Sequence, residues 1–542
     1  MRRLTTLLLL AICLGCIFRL SNLSGKIFWH DEAYTGLYAT GHSKAEADSF
    51  LFDGQVKTAA DILQLQTASP ERGPGETLRQ IAENDSQHPP LYYLLVRLLL
   101  YIQPDTVVAS RLVAAIAGIF LVLGTYWLSF ELFGSALAAK VSAALVAVSP
   151  FHYLYAQEAR EYSLWALTLV LASAACLRAL RQNTLLSWLT YCLILATSLY
   201  SFILTLLVIA SHGLYAGWLC LMPLSTGWKD TYSRLKNFAI STLTALLLFL
   251  PWLSIINRVH AQQVSWTAQP IAFSSLARIW LGNLTRLFFD LNLDSTDPPI
   301  YSVLPILCVL GLTAYAIWWS YRHMPRAAGV FLALLGGVTL LTFVGPDLLM
   351  GGRRSSVSRY LIPTYISLQL AIAYLLSQKI VTHSRLPIFQ QQPWHKITAG
   401  LLLASIVSCT VSLPADTWWH KKNSHLNPEV ARVIGQFPNA LIVSSDHNAN
   451  LGELMSLSYQ LKPEQPLLLF REPEIPQIPA ENSSIFLFNL AKQSRTQLEK
   501  FSQYSIIPTY AEGRLWQLIQ TPTAANNSNE PSNDPFAPPL TR

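Results

Sequence analysis

The sequence opens with an apolar segment, LTTLLLLAICLGCIFRL at residues 4–20, and the polar motif WHDEAY follows at residues 29–34. A helix rises about 1.5 Å per residue, so about 20 apolar residues cross a ~30 Å hydrocarbon core. The segment has no clear small-residue cleavage site and is followed by further apolar segments. We therefore predict an uncleaved first membrane helix rather than a removed signal peptide. Asp31 and Glu32 then lie at the membrane border, where charge is poorly solvated, which makes them candidates for a functional site.

The composition supports a membrane protein. Of the 542 residues, 52% are hydrophobic and 13% are charged, about half the usual ~25% of soluble domains. The net charge of +7 includes no long basic run, which argues against nucleic acid binding and favours basic loops that face the cytoplasm. All seven cysteines lie in apolar segments, which predicts buried thiols rather than a disulfide framework or a thiolate metal site.

The remaining apolar segments predict a polytopic topology. Including the first, eleven segments can span: 4–20, 107–130, 137–153, 160–180, 185–200, 201–220, 237–256, 301–321, 327–345, 360–380 and 397–413. Segment 91–102, which contains Arg97, is predicted to lie along the interface as an amphipathic helix. If segment 91–102 does not span, every predicted cytoplasmic loop carries Lys or Arg, as the positive-inside rule requires. If it did span, all later loops would change sides and the rule would fail. The protein is therefore expected in the plasma or inner membrane, with its N-terminus cytoplasmic and its C-terminus outside.

The chain divides into three predicted parts, which are a membrane domain at 1–413, an extracytoplasmic α/β domain at 414–520 and a disordered tail at 521–542. The membrane domain includes a long first external loop, 21–106. In the α/β domain we expect strands at 439–445, 466–470, 484–490 and 514–519, and helices at 428–437, 451–461 and 495–504. The fold class is thus an all-α polytopic membrane protein with a small C-terminal α/β domain.

The predicted topology places four polar clusters on the outer side: Asp31 with Glu32, the run 88–93, the run 155–162, and Arg353, Arg354 and Arg359. The three arginines run against the positive-inside rule, and guanidinium groups bind phosphate well. Alternatively, these arginines contact ordinary lipid headgroups or pair with acids such as Asp347. For the acid pair the alternative is an exposed loop in which Asp31 caps a helix.

The order of these clusters is more specific than any one of them. The acid pair is followed by HPPLYY at 88–93, by Ser149-Pro150, by QEAREY at 157–162, and by RYLIP at 359–363. This order resembles the GT-C superfamily of integral-membrane glycosyltransferases over about residues 1–380. The nearest branches are the family 39 and 83 types, which are the protein O-mannosyltransferases and the lipid A aminoarabinose transferases.

The resemblance implies an enzyme of the cell envelope whose donor is a sugar on a polyprenyl phosphate. The acceptor, a lipid, glycan or protein, would approach from outside, and Asp31 would be the general base of an inverting transfer. Glu32 and Glu158 would orient substrate or hold Asp31, and four arginines would bind the donor phosphate: Arg160, Arg353, Arg354 and Arg359. Four further residues of the motifs would contact substrate: His88, Tyr92, Gln157 and Tyr162.

No cofactor is required by this chemistry, and no Gly-rich phosphate loop follows a strand in the membrane part. His88 with Glu83 or Asp85 leaves a divalent metal site open. Lipid A-modifying members usually carry a lysine where this chain has His88, so the sugar also stays open.

Two other classes of function compete with the enzyme. One is a transporter or flippase of lipid-linked sugars, which would place its charges near the bilayer midplane rather than at span ends. The other is a membrane-anchored receptor, which would leave the many spans unexplained.

Overall fold

The computed structural model describes residues 2–221, 228–256, 266–293, 297–383, 393–447, 450–479, 484–501, 504–510 and 514–520. Its contacts divide the chain into two units. The first comprises Met1–Ala47 and Leu63–Pro428, and the second comprises Asp48–Ile62 and Glu429–Arg542. The tail predicted at 521–542 lies outside the described residues.

Helices dominate the described chain. In order they are α1 (Arg2–Leu20), α2 (His30–Ala39), α3 (Lys44–Leu51), α4 (Ala59–Gln64), α5 (Pro74–Asn84), α6 (Leu91–Leu99), α7 (Thr106–Phe133), α8 (Ala136–Val148), α9 (Pro150–Ala156), α10 (Tyr162–Gln182), α11 (Leu185–Ser201), α12 (Thr205–Leu221), α13 (Trp228–Ile256), α14 (Phe273–Thr285), α15 (Pro299–His323), α16 (Arg326–Met350), α17 (Ile362–His383), α18 (Pro393–Ser412), α19 (Asn427–Ile434), α20 (Asn450–Ser458) and α21 (Lys492–Phe501). Short 3-10 helices occur at Arg354–Ser356, Ser358–Leu361 and Trp419–Leu426.

The predicted polytopic all-α fold is confirmed, with a refinement in the number of full-length spans. Among the described residues, eight helices are long and apolar enough to cross a membrane: α1, α7, α10, α13, α15, α16, α17 and α18. Helices α8 and α9 form a ninth candidate only as a pair, because the chain bends by 60° between them. Helices α11 and α12 have 17 residues each, so each is about 26 Å long and falls short of a ~30 Å core.

The bend between α8 and α9 occurs at Ser149-Pro150. Ser149 has an extended backbone, and Pro150 starts the new helix, because proline disfavours the helical conformation in the residue before it and fits the first turn of a helix. Helix α9 is buried throughout and ends at Ala156, after which the run 157–161 leads into α10. The bend therefore sets where the run that contains Glu158 and Arg160 emerges from the bundle.

The bundle is packed around its most buried helices. The most apolar stretch of α17 is 89% buried, and that of α10 is 78% buried. Helix α10 packs against α7 and α11, and α17 packs against α8 and α16. The apolar core includes Trp165, Leu169 and Ile366, all fully buried.

The second unit is built on a six-stranded sheet in the order β1-β3-β2-β4-β6-β5. The strands are β1 (Val56–Thr58), β2 (Leu441–Ser445), β3 (Pro466–Phe470), β4 (Ile485–Phe488), β5 (Tyr504–Tyr510) and β6 (Leu515–Gln520). Strands β3, β2 and β4 are parallel, and the outer pairings are antiparallel. The four predicted strands are present. Strand β1, from the predicted first external loop, and strand β5 were not predicted.

Candidate functional site

Asp31 and Glu32 occupy the first turn of α2, where the helix dipole favours acidic side chains. Consecutive residues on a helix point about 100° apart, so the two carboxylates enter different surroundings. The Glu32 side chain is completely buried, whereas the Asp31 side chain keeps 25% of its surface exposed. Of the two acids, only Asp31 has a carboxylate that is open to its surroundings.

Glu32 anchors three segments of the first unit. Arg111 on α7 binds both of its carboxylate oxygens at 2.8 Å, and the Lys421 ammonium lies 2.8 Å from Oε2. Oε1 also accepts a hydrogen bond of 2.7 Å from the backbone N–H of Ala159. Burial alone would raise the pKa of Glu32, but Arg111 and Lys421 outweigh it and lower the pKa to about 2. Glu32 is thus a fully paired anion that holds the neighbourhood of Asp31 in place.

Asp31 faces several cations and is bound tightly by none of them. Its Oδ2 lies 3.5 Å from the Arg359 guanidinium. Burial alone would raise the pKa of Asp31, but the charges of Arg359, Arg160 and Lys422 lower it to about 2. Asp31 is therefore an ionised, partly exposed carboxylate in a positive field.

Arg160 is held by a network on the other side of Asp31. It donates to the backbone oxygen of Asp31 at 3.3 Å, to Tyr93 at 3.3 Å and to His88 at 3.1 Å, and its Nε lies 3.4 Å from Glu161. His88 in turn donates to Glu161 at 2.7 Å. The structure thus brings the predicted residues His88 and Arg160 together. Glu161, which no prediction singled out, is the acid that pairs with both.

The three arginines predicted to bind phosphate separate in the structure. Arg359 reaches Asp31, and its guanidinium lies 4.9 Å from the centre of the Tyr162 ring. Arg353 lies 5.7 Å from the Trp266 ring, which Lys422 also approaches at 5.1 Å. Arg354 instead forms an ion pair of 3.1 Å with Asp347, the alternative that the sequence allowed.

Two residues predicted to bind substrate use their polar atoms within the protein. The Gln157 amide donates to the backbone oxygens of Phe18 and Ser21 at 2.9 and 2.6 Å. The Tyr92 hydroxyl donates to the backbone oxygen of Ser110 at 2.7 Å. Both side chains are buried and connect the ends of helices. Tyr162 is also buried, and it contributes its ring face to Arg359.

The 3-10 helix Trp419–Leu426, which follows the last membrane helix, supplies site residues that sequence reasoning missed. His420 lies 3.5 Å from Glu158, Lys421 pairs with Glu32, and Lys422 contributes to the field around Asp31. Lys422 has φ 46° and ψ −119°, a costly backbone conformation that functional sites often retain. In the predicted topology Lys421 and Lys422 lie on the outer side, where they would run against the positive-inside rule as the three arginines do, and this is the signal in the sequence that could have marked them.

The sequence also allows a metal site in the predicted first external loop. His88 lies 3.9 Å from Asp85, and Glu83 pairs instead with Arg79 at 3.8 Å. Within the described ranges, no group of three or more His, Cys, Asp or Glu side chains is placed to hold a metal ion.

Two solved structures are similar to this one over most of the chain. One is ArnT from Cupriavidus metallidurans bound to undecaprenyl phosphate, with a TM-score of 0.54 and 10% identity over 97% of this chain and 99% of that chain. Another is the archaeal oligosaccharyltransferase AglB from Archaeoglobus fulgidus, in complex with an inhibitory peptide and a dolichol-phosphate. Its TM-score is 0.48, with 11% identity over 96% of this chain and 75% of that chain. No protein-family model and no curated protein matches the sequence.

The likeness to ArnT extends over nearly the full length of both chains. The predicted fold is therefore confirmed, and this protein shares the fold of ArnT.

Proposed function

We propose that this protein transfers a sugar from a polyprenyl-phosphate donor to an acceptor on the extracytoplasmic side of the membrane, with inversion. The observation that carries the proposal is the setting of Asp31. It is a partly exposed, ionised carboxylate 3.5 Å from Arg359, it lies in the field of Arg160 and Lys422, and the fold is of the GT-C type. A base beside a cationic phosphate site is the minimum that this transfer needs, because the sugar already carries a phosphate leaving group.

In this reaction Asp31 acts as the base, and Arg359 and Lys422 bind the phosphate. Asp31 takes the proton of an acceptor hydroxyl or amine, whose oxygen or nitrogen attacks the anomeric carbon. The bond between that carbon and the phosphate oxygen breaks, and Arg359 and Lys422 stabilise the charge that remains on the lipid phosphate. Cationic groups of this kind contribute about 3–4 kcal/mol each when they are preorganised.

The low pKa of Asp31 fits this role once the donor is considered. In the free protein, Arg359, Arg160 and Lys422 hold the pKa of Asp31 at about 2, which makes it a weak base. A donor phosphate bound to Arg359 and Lys422 would compete for the same positive charge. The pKa of Asp31 would rise as a result, so Asp31 becomes a better proton acceptor when the donor is bound.

A deletion strain tests the proposal for any sugar and any acceptor. Mass spectrometry of lipids and glycans should show a polyprenyl-phosphate sugar that accumulates and a glycan that lacks that sugar. Wild-type protein and the Glu83→Gln control should restore the glycan. Asp31→Asn should not, because loss of a general base costs about 10²–10⁴-fold in rate.

Two results would count against the proposal. Full complementation by Asp31→Asn would exclude Asp31 as the base. A donor that merely accumulates on the cytoplasmic leaflet in the deletion strain would favour the flippase alternative.

A further inference from the structure

Glu158 and His420 form a second polar cluster beside Asp31, and the reaction outlined above leaves it unused. Glu158 lies in the run between α9 and α10, and His420 lies in the 3-10 helix after the last membrane helix. Their relative exposures are only 1% and 2%. Glu158 Oε2 and His420 Nε2 are 3.5 Å apart, so the two segments present their polar side chains to the same small region.

Both groups lack hydrogen-bond partners. Within the described part of the chain, neither carboxylate oxygen of Glu158 and neither ring nitrogen of His420 has a hydrogen bond. Buried polar groups are normally paired, and each exception calls for an explanation. The neighbouring acid Glu32 shows the contrast, because Arg111, Lys421 and backbone N–H groups satisfy both of its oxygens.

The surroundings of the pair suit a neutral polar ligand. Burial raises the pKa of Glu158 to about 7, although Lys421 opposes this. Burial and the charge of Lys421 hold the pKa of His420 well below its usual value. A carboxylic acid and a neutral imidazole each offer a donor and an acceptor. The rings of Tyr155 and Trp419 lie 6.3 and 5.7 Å from the His420 ring, and an apolar wall with a few polar groups is usual for small-molecule sites.

We propose that Glu158 and His420 form a subsite that binds a hydroxyl group of the transferred sugar. This inference rests on the proposed function, because it assumes that the donor phosphate lies at Arg359 and Lys422. His420 and Lys422 lie in the same 3-10 helix. The Tyr155 ring, 6.3 Å from the His420 ring, carries a hydroxyl that is hydrogen-bonded to Ser358, the residue before Arg359. A sugar attached to a phosphate at Arg359 and Lys422 would therefore lie beside the pair. One sugar hydroxyl can donate to Glu158 and accept from His420, which would give one polar atom of each buried group a partner.

Equilibrium binding to the full-length protein in nanodiscs tests the subsite. The ligands are undecaprenyl phosphate and the same lipid carrying glucose, mannose or a pentose. His420→Ala and Glu158→Gln should each weaken the tightest sugar-bearing ligand by about 3- to 10-fold, the effect of one neutral hydrogen bond. Binding of undecaprenyl phosphate itself should not change. His425→Ala, an exposed histidine of the same 3-10 helix, should leave both ligands unaffected.

A series of monodeoxy sugars sharpens the test. The analogue that lacks the contacted hydroxyl should bind the wild type more weakly and should show no further loss with His420→Ala, because the two changes remove the same interaction. His420→Gln retains a polar nitrogen and should recover part of the affinity. Melting temperatures confirm that each variant is folded.

The outcomes separate the two proposals. Equal loss for lipids with and without sugar, or no loss for either, would overturn the subsite even if sugar transfer proceeds. Failure of the wild type to bind any of the polyprenyl phosphates would overturn the subsite together with the proposed function.

Discussion

Replacing Glu32 by glutamine tests whether the buried member of the acid pair stabilises the fold rather than performs chemistry. Glutamine keeps the size of the side chain and removes its charge. Arg111 and Lys421, which are buried with side-chain exposures of 1% and 0%, would then lose their counter-ion. The new amide N–H₂ would also face their donors.

The structure sets the size of the effect. Removal of one partner from a buried ion pair costs about 3–5 kcal/mol, because a buried charge is left uncompensated. The lowering of the Glu32 pKa from 4.5 to about 2 corresponds to about 3 kcal/mol, at about 1.4 kcal/mol per tenfold change in proton affinity. Its folded-state pKa is depressed, so this stabilisation is present above about pH 4.5 and is lost as the pH falls towards 2. A loss of this size is a large part of a typical folding free energy of about 5–15 kcal/mol.

Thermal unfolding of the purified protein in detergent measures the change. Glu32→Gln should lower the melting temperature by on the order of 5–10 °C. The double variant Glu32→Gln/Lys421→Met, which also lacks one of the unpaired cations, should recover part of the lost melting temperature. The control Glu83→Gln disrupts an exposed pair and should change stability by less than about 1 kcal/mol. Asp31→Asn should destabilise the protein less than Glu32→Gln does, because the Asp31 side chain is 25% exposed and Arg359 lies 3.5 Å from it. If Glu32→Gln melts at the wild-type temperature, the anchoring role of Glu32 is refuted.

Two further predictions concern the donor phosphate. Arg359→Ala should weaken binding of undecaprenyl phosphate about 10- to 100-fold, the range for hydrogen bonds to charged groups. Arg354→Ala should leave binding unchanged, because Arg354 pairs with Asp347. Equal losses of affinity in a binding titration would contradict this difference between the two arginines. Burial and the charge of Arg359 lower the pKa of Lys422 to about 8; Arg353 lowers it further, and Asp31 and Glu158 oppose the shift. Because Lys422 loses its positive charge as the pH rises through 8, the affinity for the phosphate should fall over that range. Lys422→Arg should abolish the fall in phosphate affinity with pH, and Lys422→Met should weaken phosphate binding at all pH values. An unchanged pH profile in Lys422→Arg would exclude Lys422 from the phosphate site.

Much of the membrane architecture could be predicted because hydrophobic length is a local property of the chain. The apolar segments found in the sequence correspond to helices in the structure. The segment 137–153, predicted as one span, is instead broken at Ser149-Pro150, and the steric demands of proline explain the break. The two 17-residue helices were harder to judge, since composition alone does not separate a short span from a buried core helix. Strand β1 could not be predicted, because its pairing with β3 joins segments more than 400 residues apart.

The sequence predicted several of the residues that the candidate site contains, but not the hydrogen-bond partners of each. Position at the ends of spans marked Asp31, Arg160 and Arg359, which the structure brings together. The same criterion could not show that Gln157 and Tyr92 bind backbone oxygens, because hydrogen-bond partners depend on how the helices pack.

By itself, the sequence determined that this protein is a polytopic membrane protein, and it predicted acids and arginines at the ends of the spans, because hydropathy and charge are properties of each residue. Only the tertiary structure decided which acid is buried and fully paired and which is partly exposed. A rotation of about 100° along α2 separates Asp31 from Glu32. Lys421, 389 residues away from Glu32, completes the pairing of one acid, while Lys422 contributes to the field around the other. Electrostatic environment is a property of the three-dimensional surroundings, and neighbours in sequence need not share it.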